Sequence, residues 1–171
     1  MVDGKIRARK EKGELKMKNT TLCYIENEGR YLMLHRTFSK GDGNDGKWIG
    51  VGGHFEENES PFDCVIREAR EETGLTLLKP KYRGIVTFVS DKYETEQMHL
   101  FTCDRYEGEI IPCSEGELLW VEKSKLFDLP MWEGDRVFLR LIESEKSFFS
   151  LKLIYEGDTL VDSVLRVNSE E

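Results

Sequence analysis

The stretch that most constrains this chain is GHFEENESPFDCVIREAREETGL, from Gly53 to Leu75. Ser60 is a strong N-cap residue, Pro61 suits the first helical position, and Asp63 stands three residues after the cap, as in a capping box. Gly74 suits the left-handed residue that ends a helix. The spacing predicts a helix over residues 61–73. At about 100° per residue, Phe62, Val65, Ile66, Ala69 and Thr73 gather on one apolar side. Glu68, Glu71 and Glu72 fall at i, i+3 and i+4 and share a different face.

Three like charges on one face destabilise a helix unless something neutralises them. A solvated acidic face is the ordinary explanation of such spacing. The preceding segment argues for more. Trp48-Ile49-Gly50-Val51-Gly52-Gly53 runs an apolar strand into a glycine turn, where the backbone can approach a ligand closely. Strand, glycine loop and acidic helix together suit a divalent cation held between carboxylates and an anionic substrate. Hard oxygen ligands favour Mg²⁺ or Mn²⁺.

The same residues fill every fixed position of G-x5-E-x7-R-E-U-x-E-E-x-G-U, with U an aliphatic-type residue. Gly53, Glu59, Arg67-Glu68, Glu71-Glu72 and Gly74 stand in register. The stretch therefore resembles the signature of the Nudix hydrolases. That resemblance implies an α/β/α sandwich around a mixed β-sheet. It also implies a metal-dependent enzyme that cleaves a nucleoside diphosphate linked to another group.

Composition agrees with that class. A length of 171 residues suggests one domain, and 39% hydrophobic content with 11% aromatic is enough for a core. A net charge of −8 argues against binding nucleic-acid polymer or anionic membrane. No apolar run approaches the roughly 18 residues of a membrane span. Cys23, Cys64, Cys103 and Cys113 show no C-x-x-C spacing, which reads as reduced thiols in a cytoplasmic protein. Cys64 lies near the glutamate face. The sequence leaves the oligomeric state open.

Residues 1–17 are polar and charged and read as a mobile leader, with the domain over 18–168 and a short tail at 169–171. Strands are expected over 20–25 and 31–35, joined by a turn at Asn27-Glu28-Gly29. Gly41 to Gly46 spells G-x-G-x-x-G, but no helical pattern follows and Asp42 and Asp45 would repel a pyrophosphate. That segment is expected to be a loop beside the site, a candidate lid. Further strands are expected over 84–90 and 97–103, a short one at Ile110-Ile111, and another through Leu118–Val121. A short helix at 123–127, a second amphipathic helix from Met131 to about Ser144 and a closing hairpin over 148–155 and 159–167 complete the pattern.

The resemblance runs past the signature to residues 18–168. Leu129-Pro130-Met131-Trp132-Glu133-Gly134-Asp135 and the segments after it look like the MutT-type members that hydrolyse oxidised purine nucleoside triphosphates such as 8-oxo-dGTP. There a tryptophan stacks on the purine and two adjacent aspartates read its edge. Trp132 and Asp135 match; Gly134 replaces the first aspartate, and Ile49 replaces an asparagine. Two polar base readers are thus absent. Trp132 as a core aromatic and Asp135 as a helix N-terminal charge are the plainer alternatives.

The resemblance implies that Glu68, Glu71 and Glu72, with the Gly52 carbonyl and Glu115, hold the metal. The general base is a signature glutamate or Glu115, with Glu117 as near neighbour. Arg67 is expected to pair with Glu59 or Glu71 and orient the site. Gly53 and His54 are expected near the phosphates, although a surface histidine is equally natural; His35 and His99 read as packed or edge residues. ADP-ribose, another nucleoside diphosphate derivative or a dinucleoside polyphosphate would be an alternative substrate. A non-catalytic nucleotide-binding module is the alternative of another class, although such modules usually lose signature glutamates. A prenyl diphosphate isomerase would need a cysteine–glutamate pair that finds no convincing match.

Overall fold

The segment Thr20–Ile25 is buried throughout, because successive side chains of one strand feed two different cores. Leu22 and Tyr24 enter a cluster with Tyr31, Met33, Leu100 and Phe138, whereas Cys23 and Ile25 enter another with Leu32, Val65 and Phe101. The period of two along a strand makes that division. A strand buried on both faces must lie inside a sheet with a layer on each side. The structure, a computed structural model, describes residues 16–37, 41, 43–145 and 147–167. Most of the expected leader, the tail at 169–171 and Asp42 lie outside the described residues.

Ten strands and two α-helices are described. β1 (Met17–Asn27) and β2 (Arg30–Arg36) form a hairpin whose turn has Glu28 at φ 49° and Gly29 at φ 75°. β3 (Trp48–Ile49) leads into the glycine turn, then come α1 (Pro61–Thr73), β4 (Thr76–Leu77), β5 (Lys81–Ser90), β6 (Thr95–Cys103) and β7 (Tyr106–Glu107). β8 (Gly116–Glu122), a 3₁₀ turn (Lys123–Asp128), α2 (Glu133–Glu143), β9 (Phe149–Glu156) and β10 (Thr159–Val167) complete the chain.

The main sheet has eight strands in the order β10-β9-β5-β6-β1-β2-β3, with β8 also paired to β2. It is mixed: β1/β6 and β5/β9 are parallel, and the other pairs are antiparallel. α1 packs on one cluster and α2 on the other, giving the expected α/β/α sandwich. α2 is held mainly by Phe138, Leu139 and Ile142, all buried. Each such burial contributes about 1.5–3 kcal/mol, more than the differences of under about 1 kcal/mol in helix propensity at these positions. Trp132, its N-cap, makes no side-chain cap; the Gly134 N–H donates instead to the Tyr155 hydroxyl at 2.8 Å, which ties α2 to β9.

Two sequence expectations are corrected. Ile110 and Ile111 form no strand: both are exposed, and the Ile111 N–H bonds the Thr73 carbonyl. The short strand lies earlier, at Tyr106–Glu107, where it pairs with β4. Phe62 is 43% exposed despite its place on the apolar side of α1, and it meets Tyr82 and Phe101 edge-on. The buried residues of α1 are Cys64, Val65, Ala69, Glu72 and Thr73.

Candidate active site

The glycine turn is held against β1. Val51 exchanges backbone hydrogen bonds with Cys23, the Thr21 N–H donates to the Gly53 carbonyl at 2.9 Å, and the Phe55 N–H donates to Asn19. A Cβ on Gly52 would lie 1.9 Å from the Thr21 carbonyl oxygen, and one on Gly53 would lie 2.5 Å from the Glu68 carboxyl carbon. Gly52 needs glycine because the β1 backbone fills the space a Cβ would take, whereas at Gly53 only the end of the Glu68 side chain stands in the way. α1 then starts as expected. The Asp63 N–H donates to the Ser60 hydroxyl, Asp63 accepts from the Ser60 N–H, and Gly74 ends the helix at φ 80°.

The carboxylates of α1 separate. Glu72 is only 9% exposed, accepts the Gly52 N–H at 3.1 Å and shares a hydrogen bond with Glu115. Burial, then the charges of Glu115 and Glu68, push its pKa well above the carboxylate range. Burial also raises Glu68, against the pull of Arg67. Glu71 does not join them: its side chain is 57% exposed and it faces Arg67. Arg67 binds Glu59 through two nitrogens at 2.7 and 2.8 Å, and also reaches Glu68, Glu71 and the His54 carbonyl. Both expected partners are therefore present, and the fork lowers the Glu59 pKa.

Glu68, Glu72 and Glu115 line one end of a cleft of about 480 Å³, beside Gly52, Gly53 and His54. Trp132 and Asp135 line the other end, with Ile49 between. Among the described residues, no three His, Cys, Asp or Glu side chains stand as a ready-made metal cage. The donor set nonetheless suits a hard cation: buried carboxylates pressed together against their own charge lose that penalty when one binds, and Mg²⁺ commonly uses one or two carboxylates plus substrate oxygens and water.

At the far end, Trp132 stands edge-on to Tyr155, with ring centroids 5.3 Å apart. Its indole N–H donates to Asn44 at 2.8 Å, and the Lys47 ammonium lies 4.3 Å from its ring centroid. Gly43 and Asn44 of the G-x-G-x-x-G segment thus stand against Trp132, and among the described residues the element that follows the segment is the strand β3. Asp135 is 5% exposed; burial raises its pKa to about 8, helped by Glu96 and opposed by Lys47 and Arg136. A Cβ at Gly134 would meet the Leu153 methyl at 2.5 Å and the Tyr155 hydroxyl at 2.6 Å, so a larger residue there would have to displace both side-chain ends. His35 stacks on Trp48, and His99 bonds Tyr82 and Asn19; neither lines the cleft.

Sequence reasoning missed Lys18, Thr20, Phe88, Glu96, Met98 and Tyr155, which also line the cleft. Their only signal is alternation along four strands. It marks a face but not what that face encloses.

The NUDIX domain family matches residues 16–142, most of the chain. The chain belongs to the Nudix family. As a Nudix hydrolase it is an enzyme acting on phosphoanhydride bonds of small nucleotide substrates. It is 34% identical over 124 residues to the uncharacterized Nudix hydrolase YvcI of Bacillus subtilis, covering 70% of this chain and 75% of that protein. It is 30% identical over 148 residues to the oxidized purine nucleoside triphosphate hydrolase of Danio rerio, covering 85% and 92% respectively. The crystal structure of the mMutator MutT protein from Bacillus halodurans matches this Nudix fold with a TM-score of 0.77 at 27% identity, over 86% of this chain and 97% of that one.

Proposed function

We propose that this Nudix hydrolase is a divalent-metal-dependent pyrophosphohydrolase of a nucleoside triphosphate, of the oxidised purine type such as 8-oxo-dGTP, releasing the monophosphate and pyrophosphate. One observation carries the reading: a single cleft joins a buried carboxylate end to an aromatic end that offers a polar reader, Asp135. A triphosphate chain fits the first and a base the second. The naming of the Danio rerio relative supports the same substrate class.

Glu68, Glu72 and Glu115, with the Gly52 carbonyl, are the residues that would hold Mg²⁺ or Mn²⁺. When bound, the cation neutralises phosphate charge and acidifies water. The chain's own groups do the rest. A carboxylate of this cluster, a signature glutamate or Glu115, accepts the proton of the attacking water from within hydrogen-bond reach. Arg67 fixes the helix against Glu59 and holds Glu68 in the cleft. Glu71, on the outer face, acts through Arg67. Trp132 stacks on the base, and Asp135, neutral near pH 7, offers it one donor and one acceptor.

No helix among the described residues is long and apolar enough to cross a membrane, and the four cysteines are free thiols. Both agree with a cytoplasmic enzyme. The test is a panel of nucleotides with Mg²⁺ that includes 8-oxo-dGTP and ADP-ribose. Pyrophosphate release from a triphosphate is expected. Turnover of ADP-ribose alone would replace this substrate, and no turnover of any member would leave a binding module.

A further inference from the structure

We propose that Glu96 is a specificity-determining residue of the cleft: with Asp135 it reads the hydrogen-bonding edge of the base, selecting a purine with an amino group beside a ring N–H. The inference rests on the cleft being a nucleotide site and adds the residue that chooses the base.

Strand register places Glu96 there. In the parallel β1/β6 pair, Lys18, Thr20 and Leu22 stand opposite Glu96, Met98 and Leu100. In the antiparallel β5/β6 pair, Phe88 and Val86 stand opposite Glu96 and Met98. With a period of two, these side chains share one face of the sheet, the face packed against α2. Glu96 and Met98 therefore form the floor beneath Trp132 and Asp135, and all four line the cleft. Lys18 is already paired with Glu94 at 3.6 Å. Among the described residues Glu96 has no cation within ion-pairing distance.

Two further observations point to a ligand rather than to a solvated acid. Asp135 is 95% buried, being 5% exposed, and among the described residues its carboxyl has no hydrogen-bond partner. Thr20, 4% exposed and lining the same cleft from β1, has a hydroxyl with no hydrogen-bond partner among the described residues. Buried polar groups in native proteins are nearly always satisfied, so an orphaned Thr20 hydroxyl on β1 and an unpartnered Asp135 carboxyl on α2, both lining the cleft, mark the place of an absent partner.

The chemistry selects the base. An ionised carboxylate only accepts, and its two oxygens suit two parallel N–H donors. A 2-amino-6-oxopurine presents such a pair, an amino group beside a ring N–H, with a carbonyl next to them for a donor. Adenine and cytosine place a ring lone pair beside the amino group, which repels a carboxylate. Position 134 supplies no acceptor, because it is glycine. The neighbouring strand supplies it instead.

The test compares binding of dGMP and dIMP, which differ only in the 2-amino group, by calorimetry in the presence of Mg²⁺. Wild type should bind dGMP about tenfold or more tighter, the scale of a hydrogen bond to a charged group. Glu96→Gln should bring the ratio below about threefold without lowering the melting temperature. Glu96→Asp, which keeps the charge on a shorter arm, should recover part of the preference. An indifferent or non-binding wild type, an E96Q protein that keeps the ratio, or equal weakening of both ligands would overturn the proposal. Pyrophosphate release is scored separately. Preference lost in E96Q with no hydrolysis by wild type would uphold Glu96 and reject the proposed activity.

Discussion

Glu72, in the last turn of α1, accepts the backbone N–H of Gly52 at 3.1 Å, which locks the acidic helix to the glycine turn. The same carboxyl meets Glu115 from the loop before β8. Glu72→Gln keeps an acceptor for Gly52 and removes the charge. We expect kcat to fall by at least about 100-fold, the scale of losing one preorganised electrostatic group. The melting temperature should stay level or rise, because a buried like-charge pair is relieved. An E72Q enzyme with wild-type pyrophosphate release would remove Glu72 from the chemistry.

The two glycines should respond differently. Gly52→Ala drives a Cβ to 1.9 Å from the Thr21 carbonyl, a backbone atom that cannot yield. A loss of more than about 3 kcal/mol in stability is expected from denaturant unfolding. Gly53→Ala meets only the end of the Glu68 side chain. It should fold, yet displace that carboxylate and lower kcat by about 100-fold, as a misplacement near 1 Å does. Equal stability loss in both variants would contradict this geometry.

Metal should stabilise the fold. Mg²⁺ at about 100 times its dissociation constant should add about 2.7 kcal/mol if it binds only the folded chain. Scanning calorimetry should therefore show a melting temperature that rises with Mg²⁺ and returns with chelator, and the rise should shrink in E72Q. No magnesium or manganese uptake, with or without nucleotide, would remove the basis of the proposed chemistry.

Asp135 sets a pH dependence. Its folded-state pKa of about 8 lies above the roughly 3.9 of an unfolded chain, so the folded state holds this proton more tightly. Its contribution to stability is complete below about pH 4 and is lost as pH rises through about 8. Glu96 reinforces that loss, whereas Lys47 and Arg136 reduce it. Wild-type stability minus that of Asp135→Asn should thus fall by at least about 1 kcal/mol from about pH 4 to about pH 8. A flat difference in urea-unfolding experiments would show that Asp135 is ionised and solvated.

α1 was legible because its determinants are local. A capping box, a left-handed glycine and a 3.6-residue period act within a few residues of one another, and each stands where the letters place it. The division of the glutamates was not legible. Spacing puts Glu68, Glu71 and Glu72 on one face, but only packing decides that Glu72 turns beneath the glycine loop while Glu71 turns outward to Arg67. The short strand shows the same limit. Ile110-Ile111 has the apolarity, yet Tyr106–Glu107 has the partner, β4.

By itself, then, the amino-acid sequence determined the family, the helix, its carboxylate spacing and the strand over residues 20–25. Those follow from hydrogen bonds and side-chain periodicity along short stretches. The tertiary structure decided which carboxylates meet, and it buried Asp135 near Glu96. The first depends on β8 pairing with β2, which brings Glu115 in, and the second on the parallel registers of β1 with β6 and of β5 with β9; each joins segments distant along the chain. Desolvation, which raises Glu72 and Asp135, is a property of that packing and cannot be read from the residues alone.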